Sequence, residues 1–164
     1  MALNKGLDLS SFDCGDSDLN EFLKKDAFGH EEKNIVKTYV CLNQNNAVGF
    51  FSVCNDAIKL SKQERQSEFG EPKAYSDYPA IKIARLAVSK NCQRKGVGKF
   101  MVQVVVGKAI ELSKSVGCRF VTVDAYPQQA EFYEKMGFIR NIEDRAGDNV
   151  SMRLDLVEAL KPFL

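Results

Sequence analysis

The chain has a single histidine, His30. That argues against a His-rich metal site and against a Ser–His or Cys–His nucleophile system, which depend on imidazole. Its five cysteines, Cys14, Cys41, Cys54, Cys92 and Cys118, are odd in number and include no C-x-x-C pair. Free buried thiols in a reducing cytosol are therefore expected rather than a disulfide framework. Long apolar runs are also missing. Residues 1–6 lack an apolar core of signal-peptide length, and the longest apolar stretch, residues 100–110, is broken by Gln103, Gly107 and Lys108. It is too short and too interrupted to span a bilayer. The formal net charge of +1 provides no global field for nucleic acid or membrane. A cytoplasmic protein with no membrane association and no metal is the expectation.

At 164 residues, 45% of them hydrophobic, the chain is long enough to bury a core without disulfides or a structural metal. One domain over residues 1–164 is expected. Leu7, Asp8 and Leu9 read as a short strand. Asp16 or Ser17 caps a helix whose apolar face is Leu19, Phe22, Leu23 and Ala27. Residues 35–42 and 47–53 are rich in β-branched and aromatic residues, and the Asn43-Gln44-Asn45-Asn46 turn makes them a hairpin. Residues 55–79 look least ordered, apart from a short polar helix near 61–69. A strong strand covers 81–88, and its alternation slips at Ala84-Arg85, as a bulge would make it do.

A helix over about 97–116 follows. Val97, Phe100, Met101, Val104, Val105, Ala109, Leu112 and Val116 form one stripe, with Val102, Val106 and Ile110 as a second. The run at 102–106 reads as core rather than a cofactor box. Gly117 reads as the C-terminal cap. Residues 119–125 are a strand, Pro127 opens a helix to Met136, Phe138-Ile139 begins a strand, 144–149 is a turn, and 150–156 is the last strand. The element order predicts an α/β fold with a mixed sheet.

The sharpest feature is Gln93-Arg94-Lys95-Gly96-Val97-Gly98, where a strand ends and a long helix opens. Helix N-termini present unpaired N–H groups and partial positive charge, which together bind phosphate. Glycine permits close approach of an anion and a positive φ. Arg94, Lys95 and Lys99 add charge. The pattern is neither G-x-G-x-x-G nor a Walker loop. Read on spacing alone, it is either an anion site or a plain strand-to-helix turn.

The hexapeptide matches Q/R-x-x-G-x-G/A, and the chain thereby resembles the GNAT N-acetyltransferases over nearly its whole length. Arg85-Leu86-Ala87-Val88 resembles the family's acyl-carrier strand. Ala130, Phe132-Tyr133 and Gly137-Phe138 resemble its alanine, aromatic–tyrosine and Gly-Phe segment. The resemblance implies a mixed, mostly antiparallel sheet with splayed central parallel strands and helices on both faces. It implies acetyl-CoA as co-substrate, held by Leu86, Ala87, Val88, Gln93, Arg94, Lys95, Gly96, Val97, Gly98 and Lys99, with Tyr133 as the acid for the leaving thiolate. Family members often carry Asn three residues before the alanine, where this chain has Pro127.

Phe12-Asp13-Cys14-Gly15, Asp18-Leu19-Asn20, Phe22-Leu23 and Lys37-Thr38-Tyr39-Val40 resemble the GNAT toxins of bacterial toxin–antitoxin pairs. That likeness implies the α-amine of aminoacyl-tRNA as acceptor, a ribbon-helix-helix antitoxin as partner, and compatibility with a homodimer. A small-molecule or protein amine is the alternative acceptor, and an acyl-CoA-binding module without turnover the alternative class. A tRNA face would have to be assembled locally from Lys24, Lys25, Lys33, Lys37, Lys59, Lys62, Arg65, Lys73, Lys82 and Arg85.

Amine attack on a thioester needs a neutral amine, a donor for the oxyanion and protonation of the leaving sulfur. Backbone N–H groups near Leu86 to Val88 are candidate donors. Glu68, Glu71 and Asp77 are the candidate bases, and the weakly basic amine of an aminoacyl ester would need none. Tyr133 could instead pack as core with Phe132 and Met136. Arg85 could meet an RNA phosphate, but pairing with a carboxylate is favoured. Cys92 is expected to be a structural or surface thiol, and Asp124 a turn or cap group.

Overall fold

A computed structural model describes residues 1–70, 75–142 and 147–161. Six strands form one sheet in the order β1-β2-β3-β4-β6-β5. They are β1 (Lys37–Asn43), β2 (Asn46–Lys59), β3 (Asp77–Val88), β4 (Phe120–Ala125), β5 (Ile139–Arg140) and β6 (Val150–Asp155). The helices are α1 (Ser17–Glu21), α2 (Ala27–Glu32), α3 (Lys62–Phe69), α4 (Val97–Ser113), α5 (Ala130–Glu134) and α6 (Leu156–Leu160). β1 pairs antiparallel with β2, and β6 pairs antiparallel with both β4 and β5. β3 and β4 are neighbours in that order, and α4 lies between them in the chain. The fold is α/β with a mixed sheet, as expected. No described helix is long and apolar enough to cross a membrane, and the described residues hold no cluster of metal-ligating side chains.

The chain divides into two units. The first comprises Met1–Cys54 and Ile83–Val105. Its core gathers Phe12, Phe22, Leu23, Val40, Phe50 and Ala87, with the Phe12 and Phe22 rings 5.6 and 6.0 Å from that of Phe50. The Asp16 side chain caps α1 by accepting from the N–H groups of Asp18 and Leu19. Between α1 and α2 the helix widens into a π turn, Phe22–Asp26, closed by the Ala27 N–H on the Phe22 carbonyl. A π turn is not visible in an apolar periodicity read at 3.6 residues per turn. It still leaves Phe22, Leu23 and Ala27 buried, as their spacing suggested. The β1–β2 hairpin turns through Gln44 and Asn45, both left-handed at φ 48° and 66°, the geometry that two-residue hairpins favour.

The second unit comprises Asn55–Lys82 and Val106–Leu164. Leu60, Tyr78, Ala80 and Phe120 form its core cluster, with Phe69 stacked on Tyr78 at 4.8 Å. Ser61 and Glu64 form a reciprocal capping box at the start of α3. The same Glu64 is almost fully buried and accepts from the Arg153 Nη1 at 2.8 Å and the Ile142 N–H at 3.0 Å. Arg153, 2% exposed, also donates to Asn141 at 2.7 Å and to Glu68. Burial opposes ionisation of Glu64. The donors of Ile142 and Ser61 and the charge of Arg153 outweigh it and hold the carboxyl below its ordinary value.

Several expectations are corrected. Leu7, Asp8 and Leu9 form no strand; the early bridge is Ala2 to Tyr39. β2 runs on to Lys59, so the start of the least-ordered segment is strand. α4 ends at Ser113, before Gly117, and Phe100 and Val116 are 54% and 55% exposed rather than part of a buried stripe. α6 was not expected, although Asp155 caps it through the N–H groups of Val157 and Glu158. All five cysteines are free but only half-buried. Asp124 is an ion-pair partner of Lys82, not a turn or cap group. Glu71, Lys73 and the start of the 144–149 turn lie outside the described residues.

Arg153→Leu leaves two carboxylates beside a buried position without their cation, and it should cost about 3–5 kcal/mol of unfolding free energy in urea titrations. The lowered Glu64 value has a defined sign. An unfolded Glu takes up its proton first as pH falls, so the Glu64 contribution is complete above pH ~4.3 and lost below it. Stability should therefore fall less steeply in acid for Glu64→Gln than for the parent, measured as the urea midpoint against pH.

Candidate active site

The first unit builds the turn that the hexapeptide marks. β3 ends at Val88, a short 3-10 turn covers Lys90–Cys92, and α4 begins at Val97. The strand is irregular on its own terms. Its buried positions are Tyr78, Ala80, Ile83 and Ala87, so the two-residue period breaks after Ala80. The Ser89 N–H bonds the Val48 carbonyl at 2.9 Å, fixing the exit of β3 to β2. Gly49 on β2 allows this closeness: a Cβ there would lie 2.9 Å from the Met101 Cε and 3.1 Å from the Ala87 carbonyl oxygen.

Within the turn, Arg94 and Gly96 adopt left-handed conformations, φ 61° and 86°. Gly98 lies inside the first turn of α4. Helical hydrogen bonding starts with the Phe100 N–H on the Gly96 carbonyl at 3.0 Å. The N–H groups of Val97, Gly98 and Lys99 precede it, in the positions where a helix leaves donors for an outside acceptor. Gln93, Arg94, Lys95, Gly96 and Lys99 are exposed, and Val97 and Gly98 partly so. The turn is open to a ligand, and main-chain donors and three cations share it.

Gln93 has a different surrounding from the one expected of a ligand contact. Its side-chain nitrogen donates to the carbonyls of Cys14 at 2.9 Å and Val88 at 3.0 Å. Both amide hydrogens therefore hold protein. Leu86, Ala87 and Val88 occupy the last three positions of β3, with Ala87 buried and the other two half-buried. Arg85, one residue earlier, places its guanidinium 3.8 Å from the Phe22 ring centroid. A ring, rather than the favoured carboxylate, lies under it.

Tyr133 belongs to the second unit. Pro127 opens a 3-10 turn, Pro127–Gln129, and α5 follows with Tyr133 near its end. The ring is 6% exposed and meets the edges of Phe132 at 5.0 Å and Phe138 at 5.3 Å. Burial pushes its phenol well above the ordinary tyrosine value. The proton is thus retained throughout the neutral range. Of the candidate bases, Glu68 is paired with Arg153, and Asp77 accepts from Ser76 at 2.6 Å.

A family model of the acetyltransferase (GNAT) domain matches residues 34–140. The chain belongs to the GNAT acetyltransferases. A tRNA-acetylating toxin of Mycobacterium tuberculosis is 24% identical over 132 residues, covering 80% of this chain and 78% of the relative. The structure of AtaT complexed with acetyl-methionyl-tRNAfMet superposes with a TM-score of 0.86 at 22% identity, covering 100% of this chain and 98% of that one. AtaTR bound with acetyl-CoA gives 0.81 at 22% identity over 99% and 96%. A tyrosine-to-phenylalanine mutant of KacT gives 0.80 at 22% identity over 96% and 92%.

For a GNAT acetyltransferase the turn stands where the sequence put it, yet three residues that shape it escaped notice. Asp13, Asn20 and Lys90 tie it to the N-terminal segment. The only sequence signal was the likeness of Phe12-Asp13-Cys14-Gly15 and Asn20 to the GNAT toxins, which gave those residues no role. Gly96→Ala isolates the backbone constraint, because a Cβ there meets nothing within 4 Å. The strained left-handed φ alone should cost about 1–2 kcal/mol in denaturation experiments; an unchanged midpoint would refute that reading.

Proposed function

We propose that the protein transfers an acetyl group from acetyl-CoA to the α-amine of an aminoacyl-tRNA, as the toxin of a toxin–antitoxin pair. GNAT membership establishes the enzyme as an N-acetyltransferase. The observation that carries the finer reading is the full-length likeness to AtaT, solved with acetyl-methionyl-tRNAfMet, together with the M. tuberculosis relative. A tyrosine-to-phenylalanine mutant of AtaT is also solved bound to the C-terminus of the antitoxin AtaR. A small antitoxin of the ribbon-helix-helix kind is the proposed partner. The cytoplasm, where charged tRNA and acetyl-CoA meet, is the proposed location.

In this reading, the N–H groups of Val97, Gly98 and Lys99 and the side chains of Arg94 and Lys95 hold the coenzyme diphosphate. Leu86, Ala87 and Val88 supply the main chain along which the pantetheine arm lies. The neutral amine attacks the thioester carbonyl, a C–N bond forms and the C–S bond breaks. The departing sulfur gains a proton from Tyr133, the proton lost by the amine passes to solvent, and solvent returns one to the phenolate. A phenol near ~10 giving its proton to a thiolate near ~8.5 is already uphill, and burial raises that step further. Transfer must therefore accompany C–S cleavage rather than precede it.

Thiol release from acetyl-CoA, assayed against charged tRNAs, peptides, polyamines and free amino acids, tests the acceptor; turnover confined to the other amines would overturn the tRNA reading. Tyr133→Phe should lower kcat by about 10²–10⁴-fold while CoA still binds. Because the phenol stays protonated past its ordinary range, the parent enzyme should show no alkaline loss of kcat due to Tyr133 below pH ~10. A tyrosine-dependent limb nearer neutrality would contradict this.

A further inference from the structure

We infer that Asp13 is a positioning residue for coenzyme binding, acting as a latch that fixes the diphosphate turn before the ligand arrives. Three contacts join residues far apart in the chain, and a fourth is local. The Asp13 carboxylate takes the Lys90 ammonium at 2.8 Å, and its carbonyl takes the Lys90 N–H at 2.8 Å. The Cys14 carbonyl takes the Gln93 amide at 2.9 Å, and the same nitrogen reaches the Val88 carbonyl at 3.0 Å. The receiving segment is itself rigid. The other Asp13 oxygen accepts from the Gly15 N–H and the Asn20 amide, each at 2.9 Å, while the Asn20 oxygen takes the Cys14 N–H at 2.9 Å. Gly15 holds φ 92°, and a Cβ there would stand 3.1 Å from the Lys90 Cε, so the lysine lies flat against glycine.

An exposed ion pair adds little to global stability, so a stabilising purpose does not account for this arrangement. Its location does. The latch grips residues 88–93, and the left-handed Arg94 and Gly96 follow directly. A turn carrying a non-glycine residue at positive φ has other conformations to relax into. Main-chain donors bind an anion tightly only where they converge beforehand, since ordering them on binding subtracts from affinity. Gln93, which the family resemblance implies as a coenzyme contact, and the cation Lys90 are instead engaged by the protein. The contacts to the anion are left to Arg94, Lys95, Lys99 and the start of α4.

The inference rests on the reading of this turn as the diphosphate site, and calorimetric titration with CoA separates the two. Asp13→Ala and Lys90→Met remove opposite ends of the latch. Each should weaken CoA binding roughly tenfold, equivalent to ~1.4 kcal/mol. The double variant should be little weaker than Asp13→Ala alone, because the contact that Lys90→Met removes is one that Asp13→Ala already breaks. KM for acetyl-CoA should rise with kcat unchanged at saturation, a split that general loosening of the fold would not give. Wild-type protein that binds no CoA removes the diphosphate reading and the latch with it. Tight wild-type binding left unchanged by both variants, or a fall in kcat at constant KM, overturns the latch alone.

Discussion

Main-chain N–H groups can hold a diphosphate only if some other interaction has fixed the main chain. In the proposed reading of this protein that constraint falls on the few residues between the end of β3 and the start of α4. They must leave a strand, pass through two left-handed conformations and present the first turn of a long helix. Each neighbouring feature serves that requirement. Gly49 lets β2 lie close to Ala87 and Met101. The Val48 carbonyl captures Ser89. The Asp13–Gly15 segment grips Lys90 and Gln93. α4 then holds the far end through Met101, Val102, Val105 and Ala109, all buried.

The two units solve different electrostatic problems. In the first, charges sit at the surface, and what is organised is backbone. In the second, Arg153 and Glu64 are taken out of water, and the network joins α3, β6 and the residues after β5. A buried pair of this kind is weak evidence for net stability, because desolvation opposes the Coulomb gain. What it does impose is register. Arg153 pairs with Ile139 across the β5–β6 ladder while its side chain reaches two residues one helical turn apart on α3. Sliding either element would separate the charges.

Much of this was legible in the sequence because the signals were local. The hairpin turn needed two residues tolerant of positive φ, and Gln44-Asn45 lie between β-branched runs. The capping residue Asp16 stands directly before an apolar helical period. The strand-to-helix turn was legible because its glycines fall where an apolar strand gives way to a helical period. What escaped depends on contacts distant in sequence or on departures from a regular period. Phe100 fits the apolar stripe of α4 by spacing, yet the strand-to-helix turn leaves its side of the first helical turn in solvent. Asp13 and Lys90 are 77 residues apart, and no periodicity connects them. α6 was hidden because residues 150–156 alternate well as a strand. The Asp155-x-x-Glu158 spacing, a cap signal, was the competing evidence.

The carboxylates bear on the acceptor. Glu68 is held by Arg153, Asp124 by Lys82, and Asp56 accepts from Thr122 at 2.6 Å. Each is committed to an ion-pair or hydrogen-bond partner. An acceptor such as lysine, with a reference value near ~10.4, is neutral to only about 0.04% at pH 7 and needs a base that competes for its proton. An α-amine near ~7.7–8.0 is already neutral to roughly 10–17%, several hundredfold more. That difference corresponds to about 3.5 kcal/mol of barrier that a general base would otherwise have to supply. An α-amine of the kind proposed as acceptor therefore asks least of carboxylates that already hold protein partners, and an ester on its carboxyl side lowers the basicity of that amine further.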